Sequence, residues 1–268
     1  MATSVAVRAE RTRARQGVGA PAVVVISFVV FLAVWLALAR SGRISPISLT
    51  GPDRVAAYLW HLAATGQLWV HLGASARNFV SGYVVAVVLG VGTGLLLGTN
   101  RRLELAFGPH IMALNAAPRV AFITLILAWF GIGEFSRNLL VFLGVYFPVC
   151  VNCIAGARNV DRPLLAAARV FGAAPRETFW KVTVPSAVPY IFTGMQLGVG
   201  RGLVGLFLAE SYGAQEGIGF LITQAGYLFR VDQLFGGLIV LAVLSIALSE
   251  GLRLIGDRLT PWYEGGRT

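Results

Sequence analysis

The sequence predicts an all-α polytopic membrane protein with about six transmembrane helices. Three observations carry this. Hydrophobic residues make up 56% of the 268 and charged residues only 13%, where soluble domains carry about 25% charged residues. Uncharged runs of span length, about 20 residues as helix, recur along the chain. The net charge of +10 is dispersed between those runs, not gathered on one polar face. That argues for membrane orientation and against nucleic-acid binding. One integral membrane domain follows, not two globular ones.

Residues 1–19 carry Arg8, Arg11, Arg13 and Arg15 with Glu10, too polar to be embedded, and are read as a basic cytoplasmic segment. Pro21 to Ala39 are uncharged, longer than a secretory signal core and without a clean small-residue cleavage site after them. A retained first span is therefore expected. With the extracytoplasmic loop that follows it forms a unit at 20–70, in which Pro52 and Asp53 open a short interfacial helix. Trp60 and Trp69 suit headgroup depth, where an amphipathic ring is half wet.

The membrane core is placed at 71–257. Its first span, at about 72–98, has glycine at 82, 90, 94 and 98, a stripe that lets helix backbones approach closely. Gly90-Val91-Gly92-Thr93-Gly94 imitates a nucleotide loop but lacks the preceding strand and the full spacing. After the turn at Arg101 and Arg102, a lead-in segment at 105–117 and a third span at about 118–132 are expected. The fourth span is placed at 138–157, the fifth at about 190–209 and the sixth at about 234–254. The tail at 258–268 is read as cytoplasmic, with Trp262 and Tyr263 at an interface.

Charge bias gives the orientation. Fourteen of the 22 Lys and Arg fall on the segments assigned inside, and five, namely Arg40, Arg43, Arg54, Arg137 and Arg230, on those assigned outside. The excess marks the cytoplasmic side, which places both termini and the loop at 158–190 there.

That loop organises the second half of the chain. It holds Arg158, Arg162, Arg169, Arg176 and Lys181 against Asp161 and Glu177. Pro163 can open a helix, because its missing N–H falls where no intrahelical acceptor exists. Leu164, Leu165, Ala168, Val170 and Phe171 then give it an apolar face, and Gly172 can end it in the left-handed conformation. A second short helix is expected from Pro175, stopped by Pro185 and Pro189. A basic, proline-bounded hairpin of this kind suits docking of a cytoplasmic partner, and is equally compatible with an ordinary inside loop.

The spacing adds a resemblance. Ala166-Ala167-Ala168, Gly172 and Val182-Thr183-Val184-Pro185 fall in register with E-A-A-x3-G-x9-I-x-L-P, the coupling motif of permease subunits in ATP-binding-cassette importers. The flanks Phe130-Gly131-Ile132-Gly133-Glu134, Val184-Pro185-Ser186-Ala187-Val188-Pro189, Ala209-Glu210 and Gly217-Ile218-Gly219 resemble the sulfonate/nitrate/taurine branch. The likeness extends over roughly residues 50 to 262. It implies a type I importer permease fold and coupling to an ATPase through Ala166, Ala167, Ala168, Arg169, Gly172, Val182, Val184 and Pro185. It further implies a second permease copy, two cytoplasmic ATP-binding subunits, an extracytoplasmic substrate-binding protein and a prokaryotic plasma membrane. ATP and Mg2+ would belong to the partner ATPase, with no cofactor on this chain and no catalytic role for it. The implied cargo is a small anion such as a sulfonate, taurine or nitrate; another small nutrient, such as a thiamine-precursor pyrimidine, is the alternative. One departure stands out. Ala166 occupies the motif's glutamate position, so any ion pair of that glutamate with an ATPase is missing.

Charges at bilayer depth cost about 2.5–3.5 kcal/mol on insertion scales and are usually shielded or functional. Arg119, Arg201 and Glu210 are therefore candidates for lining a pathway, with arginine favouring an anion; a structural ion pair explains them equally. Pro118 frees backbone groups and kinks a helix, as happens at transport pathways, and a purely structural kink explains it equally. Arg77 reads as a side chain reaching the headgroups. Cys150 and Cys153 lie on a predicted membrane helix without a second ligand pair and read as buried thiols. His61, His71 and His110 match no metal spacing. With Lys181 as the only lysine, no P-loop exists. A secondary transporter would require an inverted repeat or paired broken helices, and neither is evident.

Overall fold

In the computed structural model, residues 20–45, 48–118 and 120–261 are described. The basic N-terminal arginines, Arg119, Trp262 and Tyr263 lie outside the described residues. The chain runs as α1 (Ala20–Arg40), α2 (Pro52–Ala64), α3 (Gln67–Thr99), α4 (Arg101–Ala116), α5 (Val120–Phe130), α6 (Glu134–Arg158), α7 (Arg162–Val170) and α8 (Pro175–Thr178). A π-turn (Phe179–Thr183) then leads into α9 (Val184–Ser211), followed by α10 (Ile218–Tyr227) and α11 (Val231–Leu259).

Helix α6 is the axis of the bundle, packing along both α3 and α9. Phe79 and Ala86 of α3, Val141, Val145 and Val149 of α6, and Leu203 and Leu206 of α9 form the main buried core. Small residues set the spacing. A Cβ on Gly94 would lie 2.5 Å from Cys153 Cβ and 2.6 Å from the Cys150 carbonyl oxygen. On the other side of α6, a Cβ on Gly144 would lie 2.7 Å from the Arg201 carbonyl oxygen. In a bilayer, where lipid tails are as apolar as leucine, this close van der Waals packing is what favours helix association. Cys150 and Cys153 are free thiols buried in the seam.

Helix α1 stands apart. Its Trp35 donates Nε1–H to the Thr50 carbonyl at 2.9 Å and packs on Phe235, while most of its apolar side chains are exposed.

Five helical runs are individually long and apolar enough to cross a membrane, and a sixth span exists if α4 and α5 are taken together. Here the structure differs from the expected third span at 118–132. Helix α5 has only 11 residues, about 16 Å of rise against a hydrocarbon core of about 30 Å. It meets α4 at a bend of 102°. Proline at 118 excludes the helical conformation that continuation through residue 117 would need, and Ala117 is extended at ψ 140°.

The expected stop at Pro185 and Pro189 is also corrected. The run from Pro175 to Ser211 is one helical path of 37 residues. The π-turn shifts the hydrogen-bond register, so Pro185 falls in the first turn of α9, where a missing N–H leaves no interior gap.

Candidate functional site

The hairpin at 158–190 is built as its residues dictate. Pro163 sits in the first turn of α7. At the other end, Gly172 adopts φ +72°. Its N–H donates to the Arg169 carbonyl at 3.0 Å, and the Ala173 N–H donates to the Ala168 carbonyl at 2.9 Å. That bond pair is a Schellman closure, with glycine at the left-handed position. No atom lies within 4 Å of where a Gly172 Cβ would stand, so the requirement is conformational.

Helix α7 buries none of its residues. Val170 and Phe171 are 85% and 88% exposed, and Trp180 follows at 61%. Ala166 and Ala167 are exposed and Ala168 is half-buried. Large apolar side chains thus stand free beside Arg162, Arg169, Arg176 and Lys181, the last paired with Glu177 at 3.0 Å. Val182 and Val184 are half-buried around the π-turn, and Pro185 starts α9.

The pathway candidates separate. Arg201 and Glu210 are nine residues apart on one helix, roughly half a rotation at 100° per residue, so they occupy opposite faces. Arg201 is exposed and donates Nη1–H to Asn115 Oδ1 of α4 at 2.8 Å. Leu197 and Val204 continue that exposed stripe. Pro118 lies at the break between α4 and α5.

Glu210 is 1% exposed. It accepts from the Ser75 hydroxyl at 2.8 Å and from the Gly219 N–H at 2.8 Å. The Ile218 N–H donates to Ser75 Oγ at 2.8 Å, and the Gly217 N–H to His71 Nδ1 at 3.1 Å. Sequence reasoning identified Glu210 but missed Ser75 and His71. The signal was there: three polar residues, His71, Ser75 and Asn78, fall on one face of an apolar helix at helical spacing. Arg77 is exposed and lines an adjoining recess of about 310 Å³ with Asn78, Arg137 and Glu216. Among the described residues, no group of three or more His, Cys, Asp or Glu side chains is placed to hold a metal.

A bundle of bilayer-length helices with a broken helix pair and an exposed basic hairpin is the architecture of a polytopic membrane protein. Residues 86–264 match the family described as binding-protein-dependent transport system inner membrane component, and the chain belongs to that family. It is similar to the taurine transport system permease protein TauC of Escherichia coli (strain K12), 34% identical over 87% of each chain. The putative aliphatic sulfonates transport permease protein SsuC of Bacillus subtilis (strain 168) is 33% identical over 88% of this chain and 87% of that protein. Among solved structures, a chain of the inward-facing MetNI methionine ABC transporter superposes with a TM-score of 0.64 at 17% identity. It covers 72% of this chain and 98% of that chain, a likeness of fold. The protein is thus a multi-pass inner-membrane permease component of an ATP-driven importer and not an enzyme. It works with ATP-hydrolysing and substrate-binding partners.

Proposed function

We propose that this chain carries a small sulfonate-type anion, taurine or an aliphatic sulfonate, and that α7 with its flanking turn is the lever driven by the ATPase. The observation that carries the lever is the unbroken helical run from Pro175 to Ser211. A push on α7, which touches the π-turn (Phe179–Thr183), passes from there into α9 along one helical run. Val170, Phe171 and Trp180 supply exposed apolar anchors, and the flanking arginines supply charge, so docking does not need a glutamate at Ala166. Ala167, Ala168 and Gly172 set the shape of that surface. ATP and Mg2+ act in the partner ATPase, and the positive-charge bias supports a cytoplasmic hairpin and cytoplasmic termini.

Two copies of the chain form the pathway. The exposed Leu197–Arg201–Val204 stripe, with an arginine inside a helix of span length, suits a face turned toward an anion-conducting interface. Pro118 lies at the break between α4 and α5, and Arg119, next to it in sequence, is proposed for the same pathway. The relatives' names support the sulfonate class. Glu210 faces away from this stripe and holds α10, so we assign it no contact with cargo.

Substituting Gly172 tests the lever. In the importer reconstituted with its ATPase and binding protein, Gly172→Val forces a β-branched residue to φ +72°, a strain of about 1–3 kcal/mol. Membrane insertion is expected to persist, while sulfonate uptake falls at least tenfold and ATP hydrolysis loses its dependence on substrate. Gly172→Asn, which tolerates the left-handed region, should retain most uptake. Normal substrate-stimulated uptake by the valine variant would refute the lever.

A further inference from the structure

Behind α7, between that helix and the bundle, lies a cavity of about 890 Å³. Three arginines from three helices line it: Arg101 of α4, Arg158 of α6 and Arg169 of α7. Their only acidic companion in the wall is Glu104, whose two carboxylate oxygens are already taken, one by Arg101 and the other by Arg158. The wall therefore carries an excess of two positive charges. Arg169 is exposed and makes no hydrogen bond or ion pair among the described residues. Thr183 is 6% exposed, lines the same wall, and its hydroxyl has no hydrogen-bond partner among the described residues.

The packing of α7 gives these groups a task. The helix buries no residue and touches the bundle chiefly at the π-turn. Leu165 and Arg169, one helical turn apart, face the cavity. A hinge-like gap between the lever and its bundle is thus lined with cationic donors and an unspent hydroxyl.

We propose that this cavity binds a phosphate-type oxyanion, which ties α7 to α4 and α6 by accepting from Arg101, Arg158 and Arg169 together with the Thr183 hydroxyl. Arginine suits this because its planar fork of donors matches the oxygens of a phosphate. The volume lies within the range of about 300–1,000 Å³ usual for ligand sites, leaving room for the glycerol side of a headgroup. Basic clefts between membrane helices take anionic headgroups in this manner, and a free phosphate offers the same oxygens. The bound oxyanion sets how firmly the lever is braced.

The test uses the full chain in neutral detergent, with hydrogen exchange of residues 162–173 as the readout. One arm adds inorganic phosphate at constant ionic strength; the other adds phosphatidylglycerol, with phosphatidylcholine as its control. Protection of 162–173 by phosphate alone identifies a free oxyanion, and protection by phosphatidylglycerol without phosphate identifies a headgroup; either supports the proposal. Arg169→Gln, at an exposed and unpaired side chain whose loss spares the fold, is expected to weaken the protecting ligand roughly tenfold or more. Arg169→Lys should recover part of it. No protection in either arm, or equal protection in Arg169→Gln, overturns the proposal. Neither readout depends on uptake.

Discussion

Gly94→Val is expected to be among the most damaging single substitutions in the bundle. The new Cβ would lie 2.6 Å from the Cys150 carbonyl oxygen and 3.2 Å from Cys150 Cα. Two of the three nearest atoms are backbone, so no rotamer change relieves the contact. Helices α3 and α6 must separate instead, opening the seam around Val145, Val149 and Cys153. Overpacking in a filled core costs about 1–3 kcal/mol, occasionally more, and the rigid neighbours place this case at about 3 kcal/mol or above. Gly92→Ala supplies the contrast. Two residues away on the same helix, Gly92 has nothing within 4 Å of its would-be Cβ. Helix propensity there favours alanine by roughly 0.5–1 kcal/mol. Thermal unfolding in detergent should show a large loss for Gly94→Val and none for Gly92→Ala. Comparable losses in both would mean that the glycine stripe is not what sets the helix spacing.

The stripe itself was legible, because four glycines at helical spacing in an uncharged run mark a face built for close helix contact. Its partner was not: nothing in Val141, Val149 or Cys150 advertises which helix they meet. Hydropathy located α1, α3, α6, α9 and α11, since a span-length apolar run is hard to mistake, although α9 starts at Val184, well ahead of the expected 190. The turn at Gly172 followed from glycine's freedom, and its φ of +72° agrees. Proline misled twice, in opposite directions. Pro118 broke its segment more sharply than a kink, leaving α5 too short to cross alone. Pro185 failed to stop its helix, because a π-turn moved it into a first turn that tolerates it. A π-turn over Phe179–Thr183 is a register shift that the periodic pattern does not announce. Helix α10 escaped notice because ten residues give a weak periodic pattern. The separation of Arg201 from Glu210 was readable from their spacing of nine, yet treating both simply as charges in a span obscured it.

The cluster around Glu210 yields the second large effect. Its carboxylate joins three elements: α9 through itself, α3 through Ser75, and the start of α10 through Gly219. Glu210→Leu strands the Ser75 hydroxyl and the Gly219 N–H in a site that is 1% exposed. An unmet buried donor costs about 1–3 kcal/mol, so a loss of about 3–5 kcal/mol is expected, with α10 exchanging amide hydrogens faster than α6. Glu210→Gln keeps the shape and one acceptor oxygen, and its NH2 group turns a second acceptor into a donor; an intermediate loss follows. Ser75→Ala is itself destabilising, because the Ile218 N–H then loses its acceptor. Combined with Glu210→Leu the losses should sum to less than additive, since both remove the same Ser75–Glu210 bond, a coupling that a double-mutant cycle measures directly. Gly217 bears on the same point. It sits at φ +130°, and a Cβ there would collide with the Glu210 carboxylate, so Gly217→Ala should reproduce much of the Glu210→Leu defect by pushing the loop off its acceptor. Additive losses for Glu210→Leu and Ser75→Ala, with α10 protected throughout, would show that α10 is held by its apolar contacts to α11 alone and that the carboxylate is incidental.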